Sequence, residues 1–212
     1  MPTAPKKDNA TILLKVNLRR AALRALPVRP VVMETNGGFG EIWKACYSDV
    51  ESGVVIEKDP EKCEALAKQR PGWAVYRADS VAAVAKGAGA HLQVNFVDVD
   101  PWGDPNPLLE GFFTSSRAFP PILAMVVTDG LRQYLCGKSG WESKSLQKTG
   151  AVDHFGNDHL HRRYAEVCRF QMEKLAGLRG YRISNWTCYH CGWAQQMTHY
   201  SAVFVRSQQM TE

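Results

Sequence analysis

Val94-Asn95-Phe96-Val97-Asp98-Val99-Asp100-Pro101-Trp102-Gly103-Asp104-Pro105 is the stretch on which the fold turns. It opens as an apolar run of good strand formers, as a strand buried inside a sheet requires. The run stops at Asp100-Pro101, because proline has no N–H to give a ladder and marks the strand end. A carboxylate, a rigid peptide, a flat indole and a glycine therefore arrive together at the carboxyl tip of one strand. In open α/β sheets that tip is where ligands sit. The plainer reading is a strand that merely ends in a turn, and the flanking segments discriminate between the two.

Upstream, Val31-Val32-Met33 reads as a short buried strand. It runs into Glu34-Thr35-Asn36-Gly37-Gly38-Phe39-Gly40 and then a helix over Glu41–Ala45. Strand, glycine turn and helix form the geometry that lets backbone approach a ligand closely. A second strand, Gly53–Ile56, ends in Glu57-Lys58-Asp59-Pro60 and feeds a helix over 60–69. Glu57 lies 17 positions past Gly40 (57 minus 40), near the spacing at which an acidic residue grips a ribose hydroxyl pair. A third strand, Trp73–Tyr76, ends at Asp79-Ser80 before a helix over Val81–Ala88.

Downstream, the pattern predicts a helix over Leu108–Phe119 and an apolar strand, Ile122–Thr128, that ends in Thr128-Asp129-Gly130. The β-α-β-α alternation implies a mostly parallel sheet with helices on both faces. Residues 137–157 are rich in Gly, Ser, Lys and Asp with little periodicity, as a mobile lid or substrate loop would be. A helix over 158–176 and two strands, Tyr181–Tyr189 and Met197–Arg206, close the chain with an antiparallel hairpin. At the other end, Ile12, Leu13, Val16, Leu23 and Leu26 recur at roughly helical spacing among basic groups. They predict a basic amphipathic helix over Thr11–Leu26, ended by Pro27 and Pro30, with either a solvated face or a surface for phosphates.

The 212 residues suffice for one good core, and the 45% apolar, 22% charged composition is that of a globular protein. A net charge of +5 permits a nucleic-acid partner without demanding one. Six cysteines and a charged N-terminal stretch with no signal-type apolar core suggest reduced thiols in a soluble, cytoplasmic protein. No uninterrupted apolar run has membrane-spanning length. Cys188-Tyr189-His190-Cys191 has metal-like spacing, but no second pair lies at a finger-like distance, so no metal is expected. Lys and Arg of residues 137–148 and 162–182 form either a phosphate-binding rim or a solvated surface.

A glycine turn alone fits flavin, nicotinamide and adenosylmethionine sites. Here Asn36 replaces the first glycine of a full G-x-G-x-x-G, and Glu34 at the strand tip disfavours a pyrophosphate. Glu34, Glu57 and Asp79 at three successive strand tips, then Asp100-Pro101-Trp102-Gly103, then a terminal hairpin, resemble class I S-adenosylmethionine-dependent methyltransferases over about residues 30–206. That resemblance implies a Rossmann-like fold: a mostly parallel seven-stranded sheet with helices on both faces and a C-terminal antiparallel hairpin. It divides the chain into a basic helical extension over 1–29 and a methyltransferase domain over 30–212.

The segment from Phe96 to Pro105, with Met125-Val126-Val127-Thr128-Asp129, is most similar to the tRNA guanine-N2 dimethyltransferases. Those enzymes are longer, with a C-terminal domain that helps hold tRNA and is not expected here. The resemblance implies S-adenosyl-L-methionine as cofactor, its methionine part on the first turn, with Glu34, Asn36, Gly38 and Gly40. Glu57, with Lys58, would take the ribose hydroxyls, and Asp79, with Ser80, the adenine amino group. Asp98 points to the same strand face as Asp100 and is read as cofactor-supporting or as a structural hydrogen-bonding group.

The same resemblance makes Asp100, Pro101 and Trp102 catalytic, with Gly103, Asp104, Thr128 and Trp141 around the acceptor. Methyl transfer from a sulfonium is an in-line displacement governed by alignment and electrostatics. A ring amine is a poor nucleophile, so the Asp100 carboxylate and the Pro101 carbonyl would accept its two N–H bonds. Trp102 would stack the flipped base. The expected partner is nucleic acid, RNA before DNA; a small metabolite, a protein side chain or cofactor binding without catalysis are the alternatives.

Overall fold

The computed structural model describes residues 11–137, 144–157, 160–192 and 195–206. Its strands are β1 (Val32–Glu34), β2 (Gly53–Glu57), β3 (Trp73–Arg77), β4 (Phe96–Val99), β5 (Ile122–Asp129), β6 (Tyr181–Cys191) and β7 (Met197–Arg206). They form one seven-stranded sheet in the order β3-β2-β1-β4-β5-β7-β6. β1 to β5 pair in parallel, and β7 runs antiparallel to both β5 and β6. The parallel sheet with a terminal hairpin expected from the sequence is the sheet observed. Strand order reverses between β1 and β4, so these two carboxyl tips flank the topological switch point where α/β sheets bind ligands.

One face carries α1 (Ile12–Ala25), α2 (Glu41–Cys46) and α3 (Pro60–Gln69), packed over Val32, Val55, Phe96, Ala124, Val126 and Val203. The other carries α4 (Ser80–Ala85), α5 (Asn106–Thr114) and α9 (Tyr164–Gly177), over Met33, Val54, Val97, Val99, Met125 and Val127. Neighbouring strand residues thus serve opposite layers, as the period-two pleat dictates. Leu108, Leu109, Phe112 and Phe113 of α5 are buried, at roughly 1.5–3 kcal/mol each.

Local chemistry places the helix starts at the strand tips. Asp59 caps α3, its Oδ1 accepting from Glu61 N (3.0 Å) and Lys62 N (3.3 Å), with Pro60 in the first turn. Asp79 caps α4 in the same way, accepting from Ala82 N at 3.0 Å.

Several element boundaries differ from the sequence reading. Asn95 lies before β4, where its side chain accepts from Val31 N (2.7 Å) and donates to the Arg29 carbonyl (2.8 Å). α5 begins at Asn106 and stops at Thr114, and α9 begins at Tyr164 rather than 158. Within 137–157 the described residues include two short helices, α7 (Lys144–Lys148) and α8 (Ala151–Phe155), after α6 (Leu131–Gly137). Buried Leu146 and Ala151 hold α7 and α8 to the core, a tertiary effect that periodicity over five residues does not reveal. Among the described residues no helix is long and apolar enough to cross a membrane.

Candidate active site

Because β1 to β5 are parallel, their carboxyl tips share one edge, with Glu57 and Asp100 both on it. At the first turn, Gly40 has φ +80°, which favours glycine, and a Cβ there would crowd Gln69 Oε1 (2.7 Å) and Arg70 Nη2 (3.1 Å). Above Gly38, by contrast, no atom of the described residues beyond its chain neighbours stands within 4 Å of where a Cβ would sit. The turn is closed toward the protein and open outward. Glu57 ties it to β2: Oε2 accepts from Gly38 N (2.9 Å), and Oε1 from Lys58 N (2.9 Å) and Asp59 N (3.0 Å). Asn36 accepts at its Oδ1 from the Thr35 hydroxyl (2.9 Å). Asp79 and Lys58 are exposed at their strand tips, and Ser80 opens α4.

Glu34 does not face this opening. It is 3% exposed, and its carboxylate pairs with the Arg70 guanidinium, which lies between the Trp43 and Trp73 rings at 4.9 and 5.1 Å. Burial pushes the Glu34 carboxyl up to about 7 against the opposing pull of Arg70. Among the described residues, Arg70 Nε and Nη2 have no hydrogen-bond partner. The sequence offered Glu34 to a bound amino acid, but the pleat turns it beneath the turn instead.

The same pleat gathers a second group. Register pairs Glu34 with Asp98 and Thr128 with His199, and all four point to the α1 face. One step beyond the Val99–Val127 pair, Asp100 and Thr128 come alongside. Asp98 is buried: Oδ1 accepts from Arg19 Nη2 (2.6 Å), and Oδ2 from Arg19 Nε and the Tyr47 hydroxyl (both 2.7 Å). Burial, with the Asp98 charge adding to it, raises the Tyr47 phenol well above its ordinary range, so it remains a donor. Asp98 therefore meets a cation of the N-terminal helix rather than the open crevice.

Asp100 lies at the crevice edge. Its Oδ1 and Oδ2 accept from Lys15 Nζ at 2.8 and 2.9 Å, and Arg19 Nη2 lies 3.4 Å from Oδ2. Burial works to raise its pKa, but the Arg19 and Lys15 charges and a Thr128 hydrogen bond outweigh that and hold it below the ordinary carboxylate value. Asp100 is thus ionised at neutral pH. The Thr128 hydroxyl is 3.3 Å from His199 Nδ1. Burial, reinforced by the Lys15 and Arg19 charges, lowers His199 to about 4, so the imidazole is neutral.

Beyond Asp100, the Trp102 side chain is fully exposed, an unusual place for an indole. Gly103 accepts at its carbonyl from Gly130 N (2.9 Å), and a Cβ on Gly130 would come within 3.1 Å of Gly103, so the β4 and β5 tips touch. Asp104 accepts from the Asn106 amide N–H (2.9 Å) and side chain (2.6 Å), starting α5. Asp129 is buried and accepts from Leu131 N (2.7 Å) and the Tyr164 hydroxyl (2.9 Å); burial pushes it up to about 7. Trp141 lies outside the described residues.

The structure thus brings together Asp98, Asp100 and Thr128 at one end and Gly38 and Glu57 at the other. Sequence reasoning missed Lys15, Arg19, Tyr47 and His199. A Lys and an Arg four apart in a helix otherwise apolar on that side were the available signal for the first two.

Strand order 3-2-1-4-5-7-6 with strand 7 reversed, helices on both faces and acidic strand tips beside a glycine turn define the class I methyltransferase fold. Trm1 from Pyrococcus horikoshii, solved with S-adenosyl-L-methionine, superposes with a TM-score of 0.59 and 11% identity over 92% of this chain and 56% of Trm1. TYW2 from M. jannaschii, in complex with AdoMet, gives 0.55 and 14% over 98% and 79%. The N-methyltransferase NodS from Bradyrhizobium japonicum gives 0.54 and 10% over 95% and 99%. This chain spans little more than half of Trm1 but nearly all of NodS. No protein-family model matches the sequence, and no curated protein matches it either.

Proposed function

We propose that this protein is an S-adenosyl-L-methionine-dependent methyltransferase that modifies an exocyclic amino nitrogen of a nucleic-acid base, in RNA before DNA. The observation that carries the reading is an ionised Asp100 at the switch point, two residues before a fully exposed Trp102. The residues present suit the cofactor. The open space over Gly38 offers a backbone cradle for its methionine part, with Asn36 and Gly40 shaping the turn. Glu57, beside Lys58, keeps an acceptor site on Oε2 for a ribose hydroxyl beyond the three backbone N–H groups it already takes. Asp79, beside Ser80, is exposed for the adenine amino group. Glu34 and Asp98 act from beneath, through Arg70 and Arg19.

When bound, the sulfonium supplies an electrophilic methyl group. Asp100 and the Pro101 carbonyl accept the two N–H bonds of the acceptor amine, which draws nitrogen toward a tetrahedral shape. The Asp100 carboxylate then stabilises the positive charge that grows on that nitrogen, an electrostatic effect strengthened where water is partly excluded. Trp102 provides a face for the unstacked base, and Gly103, Asp104 and Thr128 shape the wall around it.

The neighbours support a nucleic-acid substrate in part. PH1948 of Pyrococcus horikoshii is named as a candidate RNA methyltransferase and has the same fold, at a TM-score of 0.51 and 14% identity. The test is to incubate the protein with methyl-labelled cofactor and bulk RNA or DNA, then digest to nucleosides for mass spectrometry. An N-methylated nucleoside is expected, with binding that weakens steeply as salt rises. Adenosylhomocysteine binding without any methylated nucleoside would redirect the reading to another acceptor or to a non-catalytic role.

A further inference from the structure

The seat that Asp100 offers to an acceptor amine already holds one. Lys15 Nζ lies 2.8 and 2.9 Å from the two Asp100 oxygens, so two of its three N–H bonds are taken by the proposed catalytic carboxylate. Two N–H bonds are held, here both on Asp100 rather than shared with the Pro101 carbonyl, and loss of the third proton would leave a lone pair in the free direction.

The position is built. α1 packs along β5 and β7, and Tyr189 of β6 donates its hydroxyl to the Leu14 carbonyl (2.8 Å), fixing the helix turn that carries Lys15. The first turn begins beside the same tip: Thr35 N donates to the Asp98 carbonyl at 3.0 Å. The Lys15 and Asp100 side chains are 21% and 18% exposed, enough contact with water to carry a proton away.

We propose that Lys15 is a methyl acceptor, so that the protein modifies its own N-terminal helix. This rests on the reading of the chain as an adenosylmethionine-dependent methyltransferase. The Lys15 ammonium first loses one proton to water. Its nitrogen lone pair then forms the N–CH3 bond while the C–S⁺ bond breaks, and that electron pair returns to sulfur as a neutral thioether. The product is a monomethylammonium with two N–H bonds. Both remain on Asp100, so a second transfer would have to give up one of them. Monomethyl-lysine is therefore the expected end product. It leaves the seat occupied by a bulkier cation, which an external amine must displace.

The test uses the full-length wild-type protein. Peptide mapping of the protein as isolated from cells, and after incubation with methyl-labelled adenosylmethionine, should locate one methyl group on Lys15. The fraction converted per unit time should be independent of protein concentration, as for transfer within one chain. Lys15→Arg should abolish the label, and calorimetry with adenosylhomocysteine reports cofactor binding separately. Label confined to other residues, or an unmodified Lys15 in protein that binds adenosylhomocysteine and methylates nucleosides, overturns this inference and leaves the proposed function standing. Failure to bind adenosylhomocysteine overturns both.

Discussion

Along the sheet edge, two groups of carboxylates are held in opposite ways. On the β1–β3 side, Glu57, Asp59 and Asp79 take backbone N–H groups from residues close in sequence or from the neighbouring turn. On the β4–β5–β7 side, Asp98 and Asp100 take cations from α1, about eighty residues away in the chain. Backbone donors leave a carboxylate at the surface with lone pairs to spare, which suits a group that must receive a ligand. Distant cations bury one carboxylate outright and pin the other at the rim. The difference teaches that the half proposed to take the acceptor depends on docking of the N-terminal helix, whereas the half proposed to take the cofactor is tied mainly by its own loops.

Removing the Arg19 guanidinium strikes hardest at this contrast. Arg19→Met leaves Asp98 buried without its counterion, and urea unfolding should show a loss of about 3–5 kcal/mol. Arg19→Met combined with Asp98→Asn should recover much of that. A loss below about 1 kcal/mol for the single variant would mean that α1 is dispensable to the acceptor half.

Asp100→Ala should lower kcat by about 10²–10³-fold, the scale of removing one preorganised transition-state contact. Adenosylhomocysteine affinity should change little, because Asp100 belongs to the other half of the edge. Equal losses in both measurements would erase the division. Trp102→Ala touches nothing in the core, so stability should stay within about 0.5 kcal/mol. Acceptor binding should weaken by about 1–3 kcal/mol if the indole stacks a base. Glu57→Gln should weaken cofactor binding by about 1.5–3 kcal/mol, the worth of hydrogen bonds to a charged group, with kcat nearly unchanged at saturation.

The last test is a pH slope. The Asp129 carboxyl rises from its ordinary 3.8 to about 7 in the folded protein. The folded state then binds more protons than the unfolded chain between those values, so this group makes stability fall as pH rises from about 4 to 7. His199, lowered from 6.5 to about 4, contributes the opposite slope over an overlapping range. Asp129→Asn should leave Glu34, raised to about 7, and His199 opposing each other, so the fall in stability between about pH 4 and 7 should flatten in urea titrations. An unchanged slope would place the proton elsewhere.

The element order, the glycine turn and the acidic strand tips were legible in sequence because each rests on a short-range rule. Proline ends β4, Asp caps a helix two or three residues on, and β5 is a continuous apolar run because both of its faces are covered. Three residues show where that legibility ended. Glu34 looked like a ligand-facing acid at a strand tip, yet Arg70, 36 residues on, draws it beneath the turn. Lys15 and Arg19 read as part of a basic helix with a solvated face or a surface for phosphates, yet both pair with carboxylates of the β4 tip.

By itself, then, the amino-acid order determined which segments become strands, where each strand stops, and that carboxylates stand at the stops. Hydrophobic period, proline and capping chemistry act over a few residues and need no partner. Only the tertiary structure decided which carboxylate meets a cation, which meets backbone and which meets water. That choice depends on the pleat face and on helix docking between elements far apart in the chain, and charge pairing across such distances has no local signature.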